Sequence, residues 1–156
     1  MTTTYINNVG PGSALTSGIA IATLNAGKDF AGSEIDNTTN RYEFLDLELL
    51  YQLAATPAAG APLKIFVLYA FGGTTYEDGI PSTNDGTAAA APTQQPTALV
   101  GVIGVTADTS AHRVTLKGIP LLPYKFKIVV NNGTAVALST SNLVVNAYGR
   151  KTETVG

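Results

Sequence analysis

Short runs of apolar residues, separated by little more than turn residues, fill the chain between residues 96 and 138. Four of these runs predict strands, at residues 96–105, 112–117, 124–130 and 134–138. The third run alternates most regularly, since its aromatic and branched residues face one way and Lys125 and Lys127 face the other. The tripeptide NNG at 131–133 predicts a hairpin turn into the fourth run. Closely spaced strands of this kind are typical of an all-β sandwich.

Residues 42–71 hold two further predicted strands. At 42–53 every second side chain is apolar, which is the period of a half-buried strand, although leucine and glutamate also favour helices. The apolar side of this strand consists of Leu45, Leu47, Leu49, Tyr51 and Leu53. Residues 63–71 are apolar apart from Lys64, which predicts a central strand buried on both faces. We expect these two strands to pair as an antiparallel hairpin.

The whole chain divides into three predicted parts. Residues 13–150 form the sandwich domain, with about eight to ten strands and no helix; strand candidates at 14–24, 33–36 and 142–148 complete it. Residues 1–12 form an N-terminal arm, because the sequence GPG at 10–12 breaks regular structure. A frayed terminus explains the same residues equally well. Residues 151–156 form a polar tail, and residues 72–95 form a long loop of the kind that is usually functional or mobile.

Composition favours a protein that covers its surface by association. Charged residues make up 13% of the chain, whereas a typical soluble domain carries about 25%. No apolar run is long enough to span a bilayer, and no signal peptide is evident. Copies of the same chain or a larger assembly would cover such a surface; an Ala/Gly/Thr-rich exposed surface is the alternative. The chain has no cysteine, and its scattered basic residues fall short of a nucleic-acid-binding stripe.

Candidate catalytic groups are sparse. Asp108, Ser110 and His112 alternate along one stretch. On a strand, residues two apart lie ~6.5–7 Å from each other with parallel side chains, so they cannot form a relay of hydrogen bonds. A turn at residues 108–110 that leads into a strand is the expected structure here, and such a turn would bring the side chains closer. Asp46 and Glu48 share a strand face and suit a solvated surface better than a glycosidase site. We therefore expect no enzyme, no cofactor and no metal site.

A calcium site in the long loop is the one metal alternative. Its oxygen ligands would come from Asp78, Asn84 and Asp85, although their spacing matches no EF-hand pattern.

Two blocks of sequence share an unusual combination of apolar runs and turn residues. The first block is PLKIFVLY at 62–69 followed by GTTYEDG at 73–79. The second runs from PTALVG at 96–101 through HRVTLKGIPL at 112–121 to PYKF at 123–126. Together these blocks resemble a family of small virion structural proteins of tailed bacteriophages. The resemblance covers roughly residues 30–148, and its most unusual feature is the GIPLLP turn.

The resemblance implies a jelly-roll-like sandwich that decorates a capsid as a cement protein. It implies a homotrimer that bridges subunits of the major capsid protein on the outer surface of the virion, after assembly in the host cytoplasm. Nucleic acid, membrane and small-molecule substrates are not expected partners.

Contact with these partners is predicted for Tyr5 and Ile6 in the arm and for Tyr76 and Ile80 in the loop. Two alternatives stay open: a tail- or fibre-associated virion protein of the same fold, and a carbohydrate-binding module. The second usually needs exposed aromatic side chains, and this chain has no tryptophan.

Overall fold

The computed structural model describes residues 4–7, 14–20, 24–71, 76, 88–89, 98–139 and 144–155, with only the backbone described at 4–7, 14–20, 88–89 and 152–155. Twelve strands occur in these residues, and no α-helix does. In chain order the strands are β1 Thr4–Asn7, β2 Ala14–Ala20, β3 Asp29–Ala31, β4 Ile35–Asp36, β5 Phe44–Tyr51, β6 Pro62–Ala70, β7 Ala88–Ala89, β8 Leu99–Gly104, β9 His112–Pro120, β10 Lys125–Asn132, β11 Val144–Arg150 and β12 Thr152–Val155.

Two antiparallel sheets pack against each other, which confirms the predicted β-sandwich. Sheet I has the order β7-β3-β10-β6-β8, with β4 also paired to β10. Sheet II has the order β2-β11-β5-β9. The main hydrophobic core lies between them and takes side chains from the facing sides of both. β1 and β12 form a separate two-stranded sheet, so the predicted arm and tail pair with each other, from Thr4 opposite Val155 to Asn7 opposite Thr152.

Strand β5 behaves as its alternation predicts. Leu45, Leu47 and Leu49 are buried in the core, whereas Asp46 and Glu48 lie on the opposite, partly exposed face. Burial of a leucine side chain stabilises the fold by roughly 1.5–3 kcal/mol, so the alternation fixes which face of the strand points inward. Sheet II therefore has one apolar face and one polar face.

Sheet I is different because both of its faces are buried at the centre, as predicted for residues 63–71. Ile65 and Val67 of β6 point into the main core. Phe66 and Leu68 belong to a second cluster on the other side of the sheet, which we call the outer cluster. Its members are Ala31, Phe66, Leu68, Ala70, Tyr76, Ala98 and Val129. Part of the long loop, through Tyr76, therefore packs on the outer face of sheet I.

The predicted hairpin between residues 42–53 and 63–71 is wrong. β5 lies in sheet II between β11 and β9, and β6 lies in sheet I between β10 and β8. The two strands differ in pattern, and the pattern explains their separation. β5 has one polar face and suits a sheet that is solvated on one side, whereas β6 is apolar on both faces and suits a covered sheet.

The predicted strand at 134–138 is also wrong. β10 continues through Asn132, and the following residues form a turn with only an isolated bridge between Leu138 and Leu53. The Asn132 side chain holds this turn: its Oδ1 accepts the Thr134 N–H at 3.1 Å, and its Nδ2 donates to the Val136 carbonyl at 2.9 Å. Asparagine side chains commonly replace ladder hydrogen bonds in this way.

A bulge in sheet II is fixed by one ion pair. The β5–β9 register shifts between Leu45 and Leu47, and Gly118 opposite them adopts a φ of 70°. Asp46 Oδ1 accepts the Gly118 N–H at 2.8 Å and a bond from Arg150 Nη2 at 3.0 Å. Glycine adopts this left-handed φ without the steric cost that a side chain would add.

Candidate interaction surface

The structure describes three of the four predicted contact residues, and these three lie in two different settings. Tyr5 and Ile6 are in β1, where they pair with Thr154 and Glu153 of β12. Ile80 falls outside the described residues, as do the three proposed calcium ligands in the same loop. Tyr76 is described, and the structure places it inside the molecule.

Tyr76 is buried within the chain itself, with 2% of its surface exposed. Its hydroxyl donates to Glu34 Oε2 at 2.5 Å, and Lys127 Nζ lies 5.2 Å from the centre of its ring. A ring in this position packs on the outer face of sheet I, so its burial argues against Tyr76 as an external contact. The loop residue instead stabilises the fold.

Glu34 connects this tyrosine to the lysines of β10. Its Oε1 lies 2.7 Å from Lys125 Nζ, while its Oε2 accepts the bond from Tyr76. Hydrogen bonds from Lys125 and Tyr76 lower the pKa of Glu34, and the bond to Glu34 raises the pKa of Lys125. Lys127, predicted to lie on the face opposite the core, does so, but that face is covered and the side chain is fully buried.

Three exposed apolar side chains lie close together at one end of the sandwich. Phe71, Leu122 and Tyr124 are 56%, 44% and 39% exposed, respectively. Phe71 and Tyr124 pack edge to face, with ring centres 5.0 Å apart, and Tyr69 lies 5.9 Å from Phe71. We call these four residues the aromatic corner. Exposed aromatic groups of this kind are enriched in protein–protein interfaces.

The aromatic corner is built on a fixed connection between β9 and β10. The Tyr69 hydroxyl accepts the Leu122 N–H at 3.3 Å and donates to the Pro120 carbonyl at 3.4 Å. Tyr69 itself extends from β6, so it ties the end of that strand to the connection. The exposed side chains are therefore presented by a structured part of the fold.

The aromatic corner was not among the predicted contact residues. The sequence did contain a signal for it: two leucines at 121 and 122 lie between prolines, directly before a strand. Residues 119–124 include no charged or amide side chain that could cover them. The rings of Phe71 and Tyr124 meet at 68°, so they do not form the flat platform on which a sugar ring stacks.

Residues 108–110 form a turn that leads into β9 at His112, as predicted. This turn brings Asp108 Oδ1 within 2.8 Å of His112 Nε2, which the strand geometry alone would not allow. Thr106 Oγ1 also lies 2.8 Å from the same nitrogen. In a catalytic triad the acid and the nucleophile contact different ring nitrogens of the histidine. Here Asp108 and Thr106 both contact Nε2, so this arrangement is not that of a triad.

The Asp108 pair closes the turn that leads into β9. Asp108 Oδ1 accepts the Ser110 N–H at 2.8 Å, and the His112 ring stacks on Tyr51 with centres 5.3 Å apart. The hydrogen bond from His112 is the main reason why the pKa of Asp108 is lowered.

The two carboxylates on the outer face of β5 are paired with arginines. Asp46 Oδ2 lies 2.9 Å from Arg150 Nε, and Glu48 Oε1 lies 3.2 Å from Arg113 Nη1. Glu48 also accepts a bond from Asn146 Nδ2 at 2.9 Å. These contacts cross from β9 over β5 to β11 and form a polar network on the outside of sheet II.

Among the residues that the structure describes, no group of three or more His, Asp or Glu side chains is placed to hold a metal ion. Within the same residues, no helix has the length and apolar character needed to cross a membrane. Comparison of the chain with protein-family models and with curated proteins gives no match.

Proposed function

We propose that this chain is a non-enzymatic structural protein of a tailed-bacteriophage virion, and that it decorates the outer surface of the capsid by binding major capsid subunits. The β-sandwich is the framework of this proposal, and the jelly-roll-like topology is the finer form that the sequence resemblance implies. The aromatic corner is the observation that carries it.

The aromatic corner supports the proposal because it is formed by the segment that carries the resemblance. The GIPLLP turn and the following tyrosine, residues 118–124, supply Leu122 and Tyr124. Phe71 lies between the two parts of the other resembling block, residues 62–69 and 73–79. In a fold whose polar face is already occupied by ion pairs, an exposed apolar corner suits a docking role.

A decoration protein stabilises a shell by binding it only in its assembled form. When its free concentration is 100 times its Kd, such binding stabilises the shell by about 2.7 kcal/mol per site. Contacts with several capsid subunits at once multiply weak individual affinities, because the later contacts form at a high effective concentration. A small apolar corner is therefore sufficient for each single contact.

The test is localisation in particles of a tailed bacteriophage whose genome encodes this chain. Immunogold labelling and cryo-microscopy should place the chain on the head, and deletion of its gene should lower the temperature at which the head releases its DNA. Labelling of the tail would favour the tail-associated alternative, and absence from the particle would reject the proposal.

Two variants test whether the aromatic corner is the surface that contacts the capsid. Leu122→Ser should reduce the ratio of this chain to the major capsid protein in purified particles. Lys117→Ser, which changes an exposed residue on the polar face of sheet II, should leave that ratio unchanged. Equal occupancy for both variants would exclude the aromatic corner as the capsid contact.

A further inference from the structure

Among the residues that the structure describes, strand β8 is an edge of sheet I, and it carries no charged residue and no proline. It has the sequence LVGVIG and pairs with β6 on one side, from Gly101 opposite Ile65 to Gly104 opposite Pro62. The pairing of β8 with β6 is irregular only at the start of β8, between Leu99 opposite Phe66 and Gly101 opposite Ile65. Residues 101–104 are therefore in regular register. An uncharged edge of this type is a template for pairing with another strand.

The direction of the free backbone groups follows from the neighbouring hydrogen bonds. The Val105 N–H donates to the Ala61 carbonyl at 3.0 Å, and the Val105 carbonyl accepts the Gly60 N–H at 3.2 Å. In an antiparallel ladder the bonded residues alternate, so Ile103 also directs its backbone groups toward β6. Val102 and Gly104 therefore direct their N–H and C=O groups away from the sheet.

The other edges of the two sheets have features that discourage pairing. β9 carries Arg113 and Lys117 and is bulged at Gly118. β2 shifts register twice against β11, and β7 is only two residues long. Charges, bulges and short strands are the usual means by which sheet edges avoid association. Among these four edge strands, β8 combines a regular stretch with a wholly uncharged sequence.

Two side chains of β8 suit an approaching strand. Val102 is 57% exposed, more than any other large apolar side chain described. The backbone at Gly104 does not have the positive φ that would require glycine, and a Cβ at this position would meet nothing within 4 Å. Neither conformation nor crowding within the molecule therefore explains a glycine here. Glycine weakens a strand interior unless something such as the close approach of another backbone requires it. By contrast, a Cβ at Gly101 would clash with Leu116 inside the molecule.

We propose that β8 pairs with β8 of a second copy of this chain, antiparallel about a two-fold axis at Ile103. In this register each Val102 lies opposite Gly104 of the other copy, so the exposed valine covers the glycine. Both outward N–H groups and both outward C=O groups of each strand then form hydrogen bonds. Sheet I continues from one molecule into the next.

The second copy fits this edge better than an unrelated strand because β8 is complementary to itself. The two-fold axis places the bulky Val102 of each copy opposite the Gly104 of the other. β8 also has no charged residue that would repel its copy. An isologous contact closes at two copies. The pairing thus predicts a dimer, whereas the resemblance to phage proteins implies a trimer, and it does not depend on the proposed capsid function.

The experiment measures the mass of the full-length chain by size-exclusion chromatography with light scattering over a range of concentrations. We expect a dimer for the natural sequence and a monomer for Val102→Lys, which places like charges near each other at the edge. Gly104→Pro should also be monomeric, because it removes an outward N–H donor while edge strands tolerate proline there. Circular dichroism and thermal melting check that both variants fold.

The matched control is Leu122→Lys, which adds the same charge at an exposed apolar side chain of the aromatic corner. It should remain dimeric while losing capsid occupancy, so failure of the pairing and failure of the proposed function give different results. A monomer at protein concentrations up to about 1 mM, where even a weak Kd would populate the dimer, would overturn the pairing. A trimer, or a dimer that Val102→Lys leaves intact, would overturn it equally.

Discussion

Removal of the Tyr76 side chain tests whether the long loop stabilises sheet I. Tyr76 is the described loop residue that joins the outer cluster, and its ring is buried against the outer face of the sheet. Its hydroxyl donates to Glu34 at 2.5 Å. The ring and the hydroxyl make separate contributions, and two substitutions separate them.

The expected magnitudes follow from these contacts. Tyr76→Ala removes a fully buried aromatic ring and leaves a cavity, which should lower the free energy of unfolding by about 3–5 kcal/mol. Tyr76→Phe keeps the ring and removes only a hydrogen bond to a charged carboxylate, which should cost about 1.5–3 kcal/mol. Because the Glu34 side chain is 26% exposed, water replaces part of this bond and the lower end of the range applies.

The assay is urea unfolding followed by circular dichroism in the far ultraviolet. Tyr124→Phe is the matched control, since its side chain is 39% exposed and its substitution should change stability by less than about 0.5 kcal/mol. A double-mutant cycle of Tyr76→Phe with Glu34→Gln should show coupling of at least about 0.5 kcal/mol.

The pH dependence gives a further check on the same bond. The pKa of Glu34 is lowered in the folded chain, mainly by its bond to Lys125. The stability that this carboxylate contributes is therefore present above its unfolded pKa and is lost as pH falls through the folded value. The cost of Tyr76→Phe should shrink over that acidic interval. A Tyr76→Ala variant as stable as the natural chain would refute a stabilising role for the loop.

Four other substitutions test the buried charges and the packing between the sheets. Burial raises the pKa of Asp29 in the folded chain. As pH rises from the pKa of Asp29 in the unfolded chain toward its pKa in the folded chain, the natural protein should therefore lose up to about 1.4 kcal/mol of stability per pH unit. Asp29→Asn should abolish this loss, as measured by urea unfolding at a series of pH values. Gly101→Ala should cost no more than about 1 kcal/mol in thermal melts because the flexible end of the Leu116 side chain must move away from the new Cβ, whereas Gly104→Ala, with open space around it, should leave the stability of the monomer nearly unchanged. Asp46→Ala should lower the free energy of unfolding by about 1–3 kcal/mol, since it leaves the charge of Arg150 and a backbone N–H without their acceptor; an unchanged urea midpoint would show that this ion pair is not stabilising.

The strands of the sandwich could be predicted wherever the pattern of apolar and polar residues shows which faces of a strand are buried. β5 and β6 are examples, because alternation in one and continuous apolar character in the other report directly on what each face contacts. Partner choice could not be predicted in this way. Nothing local states that β5 lies between β9 and β11, so the expected hairpin with β6 was wrong.

The candidate surfaces were harder to predict because they depend on contacts that are distant along the chain. Lys127 is polar and alternates with apolar residues, but only the position of Tyr76 reveals that its face is covered. The asparagine at position 132 favours a hairpin turn by type, yet its side chain binds Val136 and forms a turn without a following strand. The aromatic corner joins residues about fifty positions apart through Tyr69, which no periodicity records.

The order of strands in the two sheets determines when this chain can fold. Every ladder in the described structure joins strands that are not consecutive in the chain, so no local hairpin can form first. β10 is the middle strand of sheet I, and β11 lies between β2 and β5 in sheet II. Ribosomes add about 5–20 residues per second, so the N-terminal strands wait several seconds for these late partners. Folding therefore follows synthesis, with the slow kinetics of distant strand pairing, and fragments that end before residue 125 lack the strand that completes sheet I.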